Sequence, residues 1–302
     1  MSILRSENFL RFHGKTRIAL VAAGLFIAVF IGITLVTFFR PPLLRMSFYD
    51  IGQGDAFFLE TPHHFQMLVD GGPGSGVLEK LAADMPFYDR TIDLVIATHP
   101  DSDHIAGLVD VLNRYHVNTI LLPRVGKKSV LFERFLEAIR KNGASVREGA
   151  GPQTIMLDQG ISFTVLNPRK GETYSQTNDF GIAGLLRYGK LNVVLTADIT
   201  GEREEAMMPF LPSPVDILKV AHHGSKYSSS LLFLRHILPH LAVISVGKNN
   251  RYGHPTPEAL ARLARVGAHI WRTDQGGDLR VFSDGKSYWT TPRALDESEV
   301  EL

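Results

Sequence analysis

The chain has 302 residues, which suffices for one large domain or two smaller ones. Apolar residues make up 44% of the chain and charged residues 21%, a balance that predicts a packed core and excludes a wholly disordered protein. The formal net charge of +1 excludes a chain that is strongly basic throughout, although a local basic groove remains compatible with it. Because there is no cysteine, disulfides and thiolate metal ligands are excluded as well.

An uncharged apolar segment lies near the N-terminus, at residues 18–39. As a helix rising 1.5 Å per residue, it is long enough to cross a hydrocarbon core of about 30 Å. Pro41 and Pro42 would end that helix. A cleaved signal peptide usually has a shorter apolar region, about 7–15 residues, followed by a small-residue cleavage motif, and this segment ends instead in Val36-Thr37-Phe38-Phe39. We therefore predict a single uncleaved transmembrane anchor.

Basic residues flank this segment unevenly. The preceding arm, residues 1–17, carries four cations and one acid, whereas Arg40 and Arg45 follow the segment. The positive-inside rule then places the arm in the cytoplasm and the chain from about residue 43 onward outside. The predicted location is the cell membrane, with a single span and an extracytoplasmic globular domain.

Two aspartate–glycine turns follow the anchor. The sequence Asp-Ile-Gly-Gln-Gly-Asp occupies positions 50–55, and Val-Asp-Gly-Gly occupies positions 69–72. Glycine beside an aspartate permits positive φ angles and close backbone approach. We predict that Asp50, Asp55 and Asp70 support a neighbouring metal site without binding the ion themselves. His63 and His64, between the two turns, are predicted to lie on the surface of a hairpin.

Four potential metal ligands fall within six residues: His99, Asp101, Asp103 and His104. An apolar run at 92–97 precedes them and predicts a buried strand, and a helical pattern follows, so the ligands lie on a strand-to-helix turn. Residues i and i+2 of an extended turn point the same way, which lets His99 and Asp101 share one ion while Asp103 and His104 reach a second. An aspartate cap on the helix would explain one carboxylate but neither histidine.

The rest of the chain alternates between the two kinds of element. Strands are predicted at 44–60, 65–70, 92–97, 119–123, 153–166, 182–188, 191–196, 216–220, 241–246 and near 270 and 280, and helices at 75–84, 103–115, 129–142, 202–210 and 257–265. This alternation predicts an α/β fold with helices packed on sheets. The acidic tail at 292–302 is predicted to be disordered.

Ligand-type residues recur where predicted strands end. Besides the four at 99–104, they are Asp70, Asp198, His222, His223 and His254. One histidine after a strand is usually structural, but repeated placements of this kind predict convergence on a single site.

These motifs together resemble a known family. The turn at 99–104 resembles the H-x-H-x-D-H signature of the metallo-β-lactamase fold, with Asp101 where the second histidine usually stands. With D-x-G-Q-G-D at 50–55, V-D-G-G at 69–72, H-H-G-S at 222–225 and Y-G-H-P at 252–255, the chain is similar to the hydrolase domain of the ComEC-type competence proteins, which internalise DNA in bacteria. The resemblance covers about 44–291. That family also has a multi-helix channel region, and here one apolar segment stands in its place. We therefore expect a stand-alone hydrolase domain tethered to the membrane. It would act beside a separate channel or competence partner, or independently.

The resemblance implies an αββα sandwich with two divalent ions at one sheet edge. His99 and Asp101 would hold one ion, completed by His222, His223 or water, Asp103 and His104 would hold the other, and Asp198 would bridge them. His254 would lie at the rim, as a ligand or a substrate contact. We assign catalytic roles to Asp103, His223 and His254.

The donor set bounds the metal and the reaction. A site without cysteine, in which one histidine is replaced by aspartate, favours manganese, with zinc as the alternative. A hydroxide bridging two ions is the expected nucleophile, because a divalent ion lowers the pKa of bound water, and two ions about 3.5–4 Å apart suit displacement at phosphorus. Four residues near the H-H-G-S and Y-G-H-P motifs are candidate phosphate contacts: Lys219, Ser225, Lys226 and Arg251.

The leading hypothesis is a phosphodiesterase that acts as a nuclease, with DNA as the favoured substrate. An ester, lactone or lactam hydrolase on the same fold is one alternative, and would need an apolar small-molecule pocket. An inactive membrane-anchored binding protein is the other, but the complete ligand set argues against it.

Overall fold

The computed structural model describes residues 20–32, 43–126 and 129–292. The chain divides into two units, Met1–Pro42 and Leu43–Leu302. In the first unit, residues 20–32 form a helix, α1. Across the three described ranges, none of the helices combines the length and apolar character that crossing a bilayer requires. The predicted arm at 1–17, the ends of the predicted anchor at 18–39, and the tail beyond 292 lie outside the described residues.

The second unit contains fifteen strands and seven α-helices among its described residues. The strands are β1 Leu44–Phe48, β2 Phe57–Glu60, β3 Gln66–Val69, β4 Thr91–Ile96, β5 His116–Leu122, β6 Ser145–Glu148, β7 Gln153–Asp158, β8 Ile161–Asn167, β9 Ala183–Tyr188, β10 Leu191–Leu195, β11 Ile217–Lys219, β12 Leu241–Ile244, β13 His269–Arg272, β14 Leu279–Ser283 and β15 Tyr288–Thr291. The helices are α2 Gly76–Asp84, α3 Ser102–Arg114, α4 Val130–Asn142, α5 Gly201–Met207, α6 Leu231–Ile237, α7 Pro257–Arg265 and α8 Thr273–Gly276.

These strands form two sheets that pack face to face. One has the order β15-β14-β1-β2-β3-β4-β5-β6 and the other β13-β12-β11-β10-β9-β8-β7. A core that includes Phe48, Met67, Phe163 and Val193 joins the inner faces of both sheets. A second core packs α2, α3 and α4 on the first sheet, and a third packs α5, α6 and α7 on the second. The α/β class and the αββα layering are therefore confirmed.

The prediction of secondary structure is wrong for several elements. The segment 44–60 is not one strand, because the turn at 50–55 divides it into β1 and β2. β6 and β15 lie at the ends of the first sheet and were not predicted, and α6 was missed because its sequence, Leu-Leu-Phe-Leu-Arg-His-Ile, is too continuously apolar to show a helical period. Ser230 caps α6 by accepting a hydrogen bond from the N–H of Phe233.

Strand direction explains where the ligands gather. β1 and β3 are each antiparallel to β2, and β3 is parallel to β4, so β1, β3 and β4 run the same way. In the second sheet β10, β11 and β12 are parallel to one another. The ligand-type residues follow the carboxyl ends of these strands, the edge at which open α/β sheets bind ligands.

Candidate metal centre

The predicted ligands converge at one edge of the sandwich. His99 follows β4, Asp103 and His104 lie in the first turn of α3, and Asp198 follows β10. His223 follows β11. His99, His104 and Asp198 each place a ligand atom within 4.8 Å of the others, and so do Asp103, His104 and His223.

Asp198 lies at the middle of this cluster. Its Oδ2 is 3.4 Å from His104 Nε2, 3.5 Å from His223 Nε2 and 4.0 Å from His99 Nε2. Asp101 Oδ2 is 3.9 Å from His99 Nε2, on one side of the cluster. His223 Nε2 is 3.5 Å from Asp103 Oδ2, on the other side. Asp198 Oδ2 thus lies near histidines on both sides of the cluster, and a bridge between two ions stays a prediction.

Hydrogen bonds fix the tautomers of three histidines. His104 Nδ1 lies 2.8 Å from Asp70 Oδ2, and His223 Nδ1 lies 2.8 Å from the carbonyl oxygen of Ser245. Both acceptors require the proton on Nδ1. Thr98 Oγ1 donates to Asp70, so its oxygen accepts from His99 Nδ1 at 3.0 Å. All three rings therefore turn Nε2 toward the centre, the orientation that metal-binding histidines use.

The buried polar atoms test whether the cluster fits a metal. Within the described part of the chain, Nε2 of His99, His104 and His223 and Oδ1 of Asp198 are buried without a hydrogen-bond partner. Leaving one such atom unpaired costs about 1–3 kcal/mol, so four in one place are not expected in a purely structural cluster. Three imidazole nitrogens and three carboxylates suit divalent transition ions. These residues could therefore hold metal.

The charges in the cluster also favour a bound metal ion. Burial lowers the pKa of His223, but Asp198 and Asp55 outweigh burial and raise it to about 10. Burial and repulsion from His104 lower the pKa of His99 to about 4. Burial opposes ionisation of Asp198, yet His223 and His104 hold its pKa well below the usual range. The buried carboxylates stay ionised, and the positive charge they attract is what a divalent ion supplies.

Two of the three predicted supporting aspartates contact the ligands. Asp70 accepts hydrogen bonds from the Thr98 backbone N–H and hydroxyl while it orients His104. Asp55 Oδ1 is 3.3 Å from His223 Nδ1. Asp50 instead accepts a hydrogen bond from the backbone N–H of Gly52, within its own turn. No sequence motif pointed to Thr98, which links His99 to Asp70.

Gly54 explains why a glycine lies in the first turn. Its φ is +140°, and a Cβ atom there would lie 2.2 Å from the carbonyl oxygen of Asp103. The same oxygen accepts a hydrogen bond from the N–H of Asp55 at 3.2 Å. The turn at 50–55 therefore packs directly against the start of α3, where two of the ligands lie.

Backbone conformation distinguishes His222 from His223. Both adopt the left-handed region, with φ of +50° and +53°, which is uncommon for residues other than glycine and frequent at functional sites. His223 turns inward and is buried beside Asp103, whereas His222 is half-buried with Nε2 3.8 Å from Asp198 Oδ2. His223 thus lies on the Asp103 side of the cluster. Of this histidine pair, only His222 remains a candidate for the predicted third ligand beside His99 and Asp101.

Two of the four predicted phosphate contacts are wrong. Lys219 is buried, and its Nζ lies 2.7 Å from Asp55 Oδ2, so it neutralises Asp55 beneath His223 and cannot reach a substrate. Ser225 is buried too, and its Oγ accepts a hydrogen bond from the N–H of Tyr227. Lys226 and Arg251 are exposed, so a phosphate contact by either stays a prediction.

A row of aromatic rings leads from the cluster to the surface. His222 meets His254 edge to face, with ring centroids 5.5 Å apart, and His254 stacks on Tyr252 at 6.1 Å. The guanidinium of Arg251 lies over the Tyr252 ring at 5.2 Å. Tyr252 was missed as a candidate because only the folded loop places it against His254. His254 lies between His222 and the exposed Tyr252, and its role as a ligand or a substrate contact stays a prediction.

Comparison with known proteins identifies the family. The model of the metallo-beta-lactamase superfamily matches residues 49–248. The chain belongs to this superfamily. It is similar to ComE operon protein 3 of Bacillus subtilis (strain 168), at 32% identity over 259 residues, covering 78% of this chain and 32% of that protein. It is also similar to recombination protein 2 of Haemophilus influenzae, at 28% identity over 246 residues, covering 80% of this chain and 29% of that protein.

These relatives confirm the resemblance to the hydrolase domain of ComEC-type competence proteins. The chain spans about a third of their length. Among solved structures, CmlA, a diiron β-hydroxylase from Streptomyces venezuelae, superposes with a TM-score of 0.55 at 16% identity, covering 81% of this chain and 54% of that one. That likeness shows a shared fold alone.

Proposed function

We propose that this superfamily member is a membrane-anchored phosphodiesterase that cleaves nucleic acid, with DNA as the favoured substrate, outside the cytoplasm. The observation that carries the proposal is the row of rings His222, His254 and Tyr252 with Arg251 at its outer end. Rings and a guanidinium beside a metal-type cluster suit a substrate that has both bases and phosphates. Relatives named for competence and recombination favour DNA among such substrates.

Two divalent ions, with manganese the first choice and zinc the alternative, would supply a water of lowered pKa and neutralise charge on the phosphoryl group. His99 and Asp101 would hold one ion and Asp103, His104 and His223 the other. Asp198 would contact both.

The residues around the metal centre would bind the substrate and accept a proton. Burial and the charges of His222 and His223 lower the pKa of His254, which favours the neutral ring, the form that could accept a proton. Tyr252 is 53% exposed, so a base could contact its ring. The exposed Lys226 and Arg251 offer positive charge to neighbouring phosphates. The anchor, residues 18–39, would keep the enzyme at the membrane, beside a separate channel or competence partner.

The test uses the full chain, purified in detergent and incubated with manganese and labelled DNA or RNA. We expect cleavage by the native protein and none by the double variant Asp103→Ala/His104→Ala, which should also bind less manganese by mass spectrometry. The matched control, Asp110→Ala/His116→Ala, removes the same residue types from α3 and β5 away from the cluster and should retain both properties. A native protein that binds manganese yet cleaves neither nucleic acid would show the nuclease proposal to be wrong.

A further variant tests the row of rings. Loss of stacking in Tyr252→Ala should cost about 1–3 kcal/mol, which weakens oligonucleotide binding roughly 5–150-fold. Hydrolysis of bis(p-nitrophenyl) phosphate, which is too small to depend on that ring, should be unchanged. Tyr88→Ala removes an exposed tyrosine from the opposite edge and serves as the control. Equal loss on both substrates would contradict a stacking role.

A further inference from the structure

Two aromatic side chains stand out on the surface far from the metal centre. Phe87 is 85% exposed and Tyr88 is 76% exposed, and their rings meet edge to face with centroids 5.4 Å apart. Burying one such side chain is worth about 1.5–3 kcal/mol. The pair is therefore exposed apolar surface that could be buried against a membrane or another molecule.

The loop that carries them, residues 85–90, is held at both ends. Met85 is buried, and Asp89 accepts a hydrogen bond from Gln66 Nε2 at 2.7 Å. The carbonyl oxygen of Arg90 accepts a hydrogen bond from the N–H of His116 at 2.7 Å. The two rings thus project from a supported loop.

Strand direction places this loop at a particular edge. It leads directly into β4, which runs parallel to β3 and in the same direction as β1. The loop and Leu44, the first residue of β1, therefore lie at the same edge of the first sheet. His99, Asp70 and the other ligands lie at the opposite edge. The edge that carries Phe87 and Tyr88 is the one at which the chain enters the domain.

The entry edge must lie close to the membrane if the proposed anchor is correct. Only residues 40–43 separate the predicted span, 18–39, from Leu44. Four residues reach at most about 14 Å. This step rests on the anchor in the proposed function, and it does not depend on the nuclease activity.

Charge at this edge suits a lipid surface. Exposed cations lie at the ends and starts of elements that reach it: Arg90, Arg114, Lys190 and Lys286. Lys190 and Lys286 are neighbours, because the N–H of Lys190 donates to the carbonyl oxygen of Gly285. One exposed acid, Asp284, accepts the backbone N–H groups of its own turn. Each cation near an anionic membrane contributes about 1 kcal/mol.

We propose that Phe87 and Tyr88 insert into the interfacial layer of the membrane that holds the anchor. Aromatic rings favour that layer, where an apolar body and a polar tip are both accommodated. The domain would then have two attachments, the chain at Leu44 and the loop at 85–90. Its metal centre would face away from the lipid, separated from it by the length of the six-residue strand β4, about 20 Å.

The absence of cysteine makes a direct test possible. Phe87→Cys and Tyr88→Cys, each in the full chain, are labelled with an environment-sensitive fluorophore and reconstituted in vesicles containing anionic lipid. We expect blue-shifted emission and several-fold stronger quenching by lipid-borne nitroxides than by water-soluble iodide. The control is Tyr227→Cys, a residue 72% exposed at the opposite edge, whose label should be quenched mainly by iodide.

The outcomes separate this inference from the proposals beneath it. A Phe87 label that iodide quenches as strongly as the Tyr227 label, in a chain that resists alkaline carbonate extraction, overturns the inference and leaves the anchor intact. A label shielded from iodide but not quenched from the lipid indicates a protein partner, which also overturns it. Extraction of the native chain by carbonate overturns the anchor and the inference together. DNA cleavage does not enter any of these readouts.

Discussion

Three histidines in the cluster present Nε2 because other residues have already taken Nδ1. The partners differ in kind: a carboxylate for His104, a backbone carbonyl for His223 and a hydroxyl for His99. Asp70 serves two of the three, one directly and one through Thr98. The orientation of the ligands is therefore decided by residues that would not touch the metal.

Lys219 provides a test of this supporting layer. In Lys219→Met the Asp55 carboxylate loses its buried counter-ion, and breaking a buried pair in this way costs about 3–5 kcal/mol. We expect a lower midpoint of urea unfolding, measured by circular dichroism. The same variant should lose manganese affinity, because Asp55 contacts His223.

The matched control is Lys226→Met, which removes a nearby but exposed lysine. Its unfolding midpoint should stay close to that of the native protein. If instead Lys219→Met is as stable as Lys226→Met and only nucleic-acid binding weakens, Lys219 contacts substrate and its burial does not govern its role.

At the scale of elements, the position of α3 depends on a close backbone approach. Gly107, inside this helix, lies so near the turn after β3 that a Cβ atom would be 1.9 Å from the carbonyl oxygen of Gly71 and 2.6 Å from that of Gly74. The N–H of Gly107 also donates to the carbonyl oxygen of Gly72 at 3.0 Å. Because α3 carries Asp103 and His104 in its first turn, this contact fixes the position of two candidate metal ligands relative to the first sheet.

Gly107→Ala should therefore move α3. Alanine usually stabilises a helix by about 1 kcal/mol relative to glycine, but here we expect a loss of about 1–3 kcal/mol from overpacking. Calorimetry with and without manganese should show a lower melting temperature and a smaller stabilisation by the metal. Gly74→Ala is the control, since a Cβ atom there meets nothing within 4 Å. A stabilised Gly107→Ala protein would contradict the close approach.

For the whole molecule, one buried acid predicts how stability depends on pH. Glu204 is fully buried in α5, where its Oε2 accepts the N–H of Ser229. Burial raises its pKa from 4.5 to about 8. The folded protein thus keeps a proton that the unfolded chain releases near pH 4.5. This contribution to stability is complete below pH 4.5 and is lost as the pH rises toward 8.

Glu204→Gln removes the ionisation. At pH 8 it should be more stable than the native protein by roughly 2–4 kcal/mol, and the difference should shrink toward pH 5. Urea unfolding in the presence of a chelator, across that range, measures the difference without a metal contribution. Glu202→Gln, at an exposed position in the same helix, should leave the slope unchanged. A difference that does not vary with pH would show that Glu204 is already ionised.

The α/β class and the order of most elements could be predicted from the sequence, and so could most of the residues that the cluster brings together. His99, Asp103 and His104 were recognisable because they are crowded into one turn between an apolar strand and a helix. Asp198 and the 222–223 pair were recognisable because each follows a short apolar run. These signals are local, and the carboxyl ends of strands are where such residues gather.

Which side chains face the centre depends on how distant segments pack, and the sequence did not predict it. His222 and His223 are adjacent and chemically identical, and left-handed backbone angles turn one inward and leave the other half-exposed. Lys219 was predicted to contact phosphate, but it is paired with Asp55, a residue distant in sequence. The row from His222 to Tyr252 and the shared edge of Leu44 with Phe87 likewise depend on loops and strand directions. Side-chain direction and burial are set by contacts between distant segments, and no local pattern encodes them.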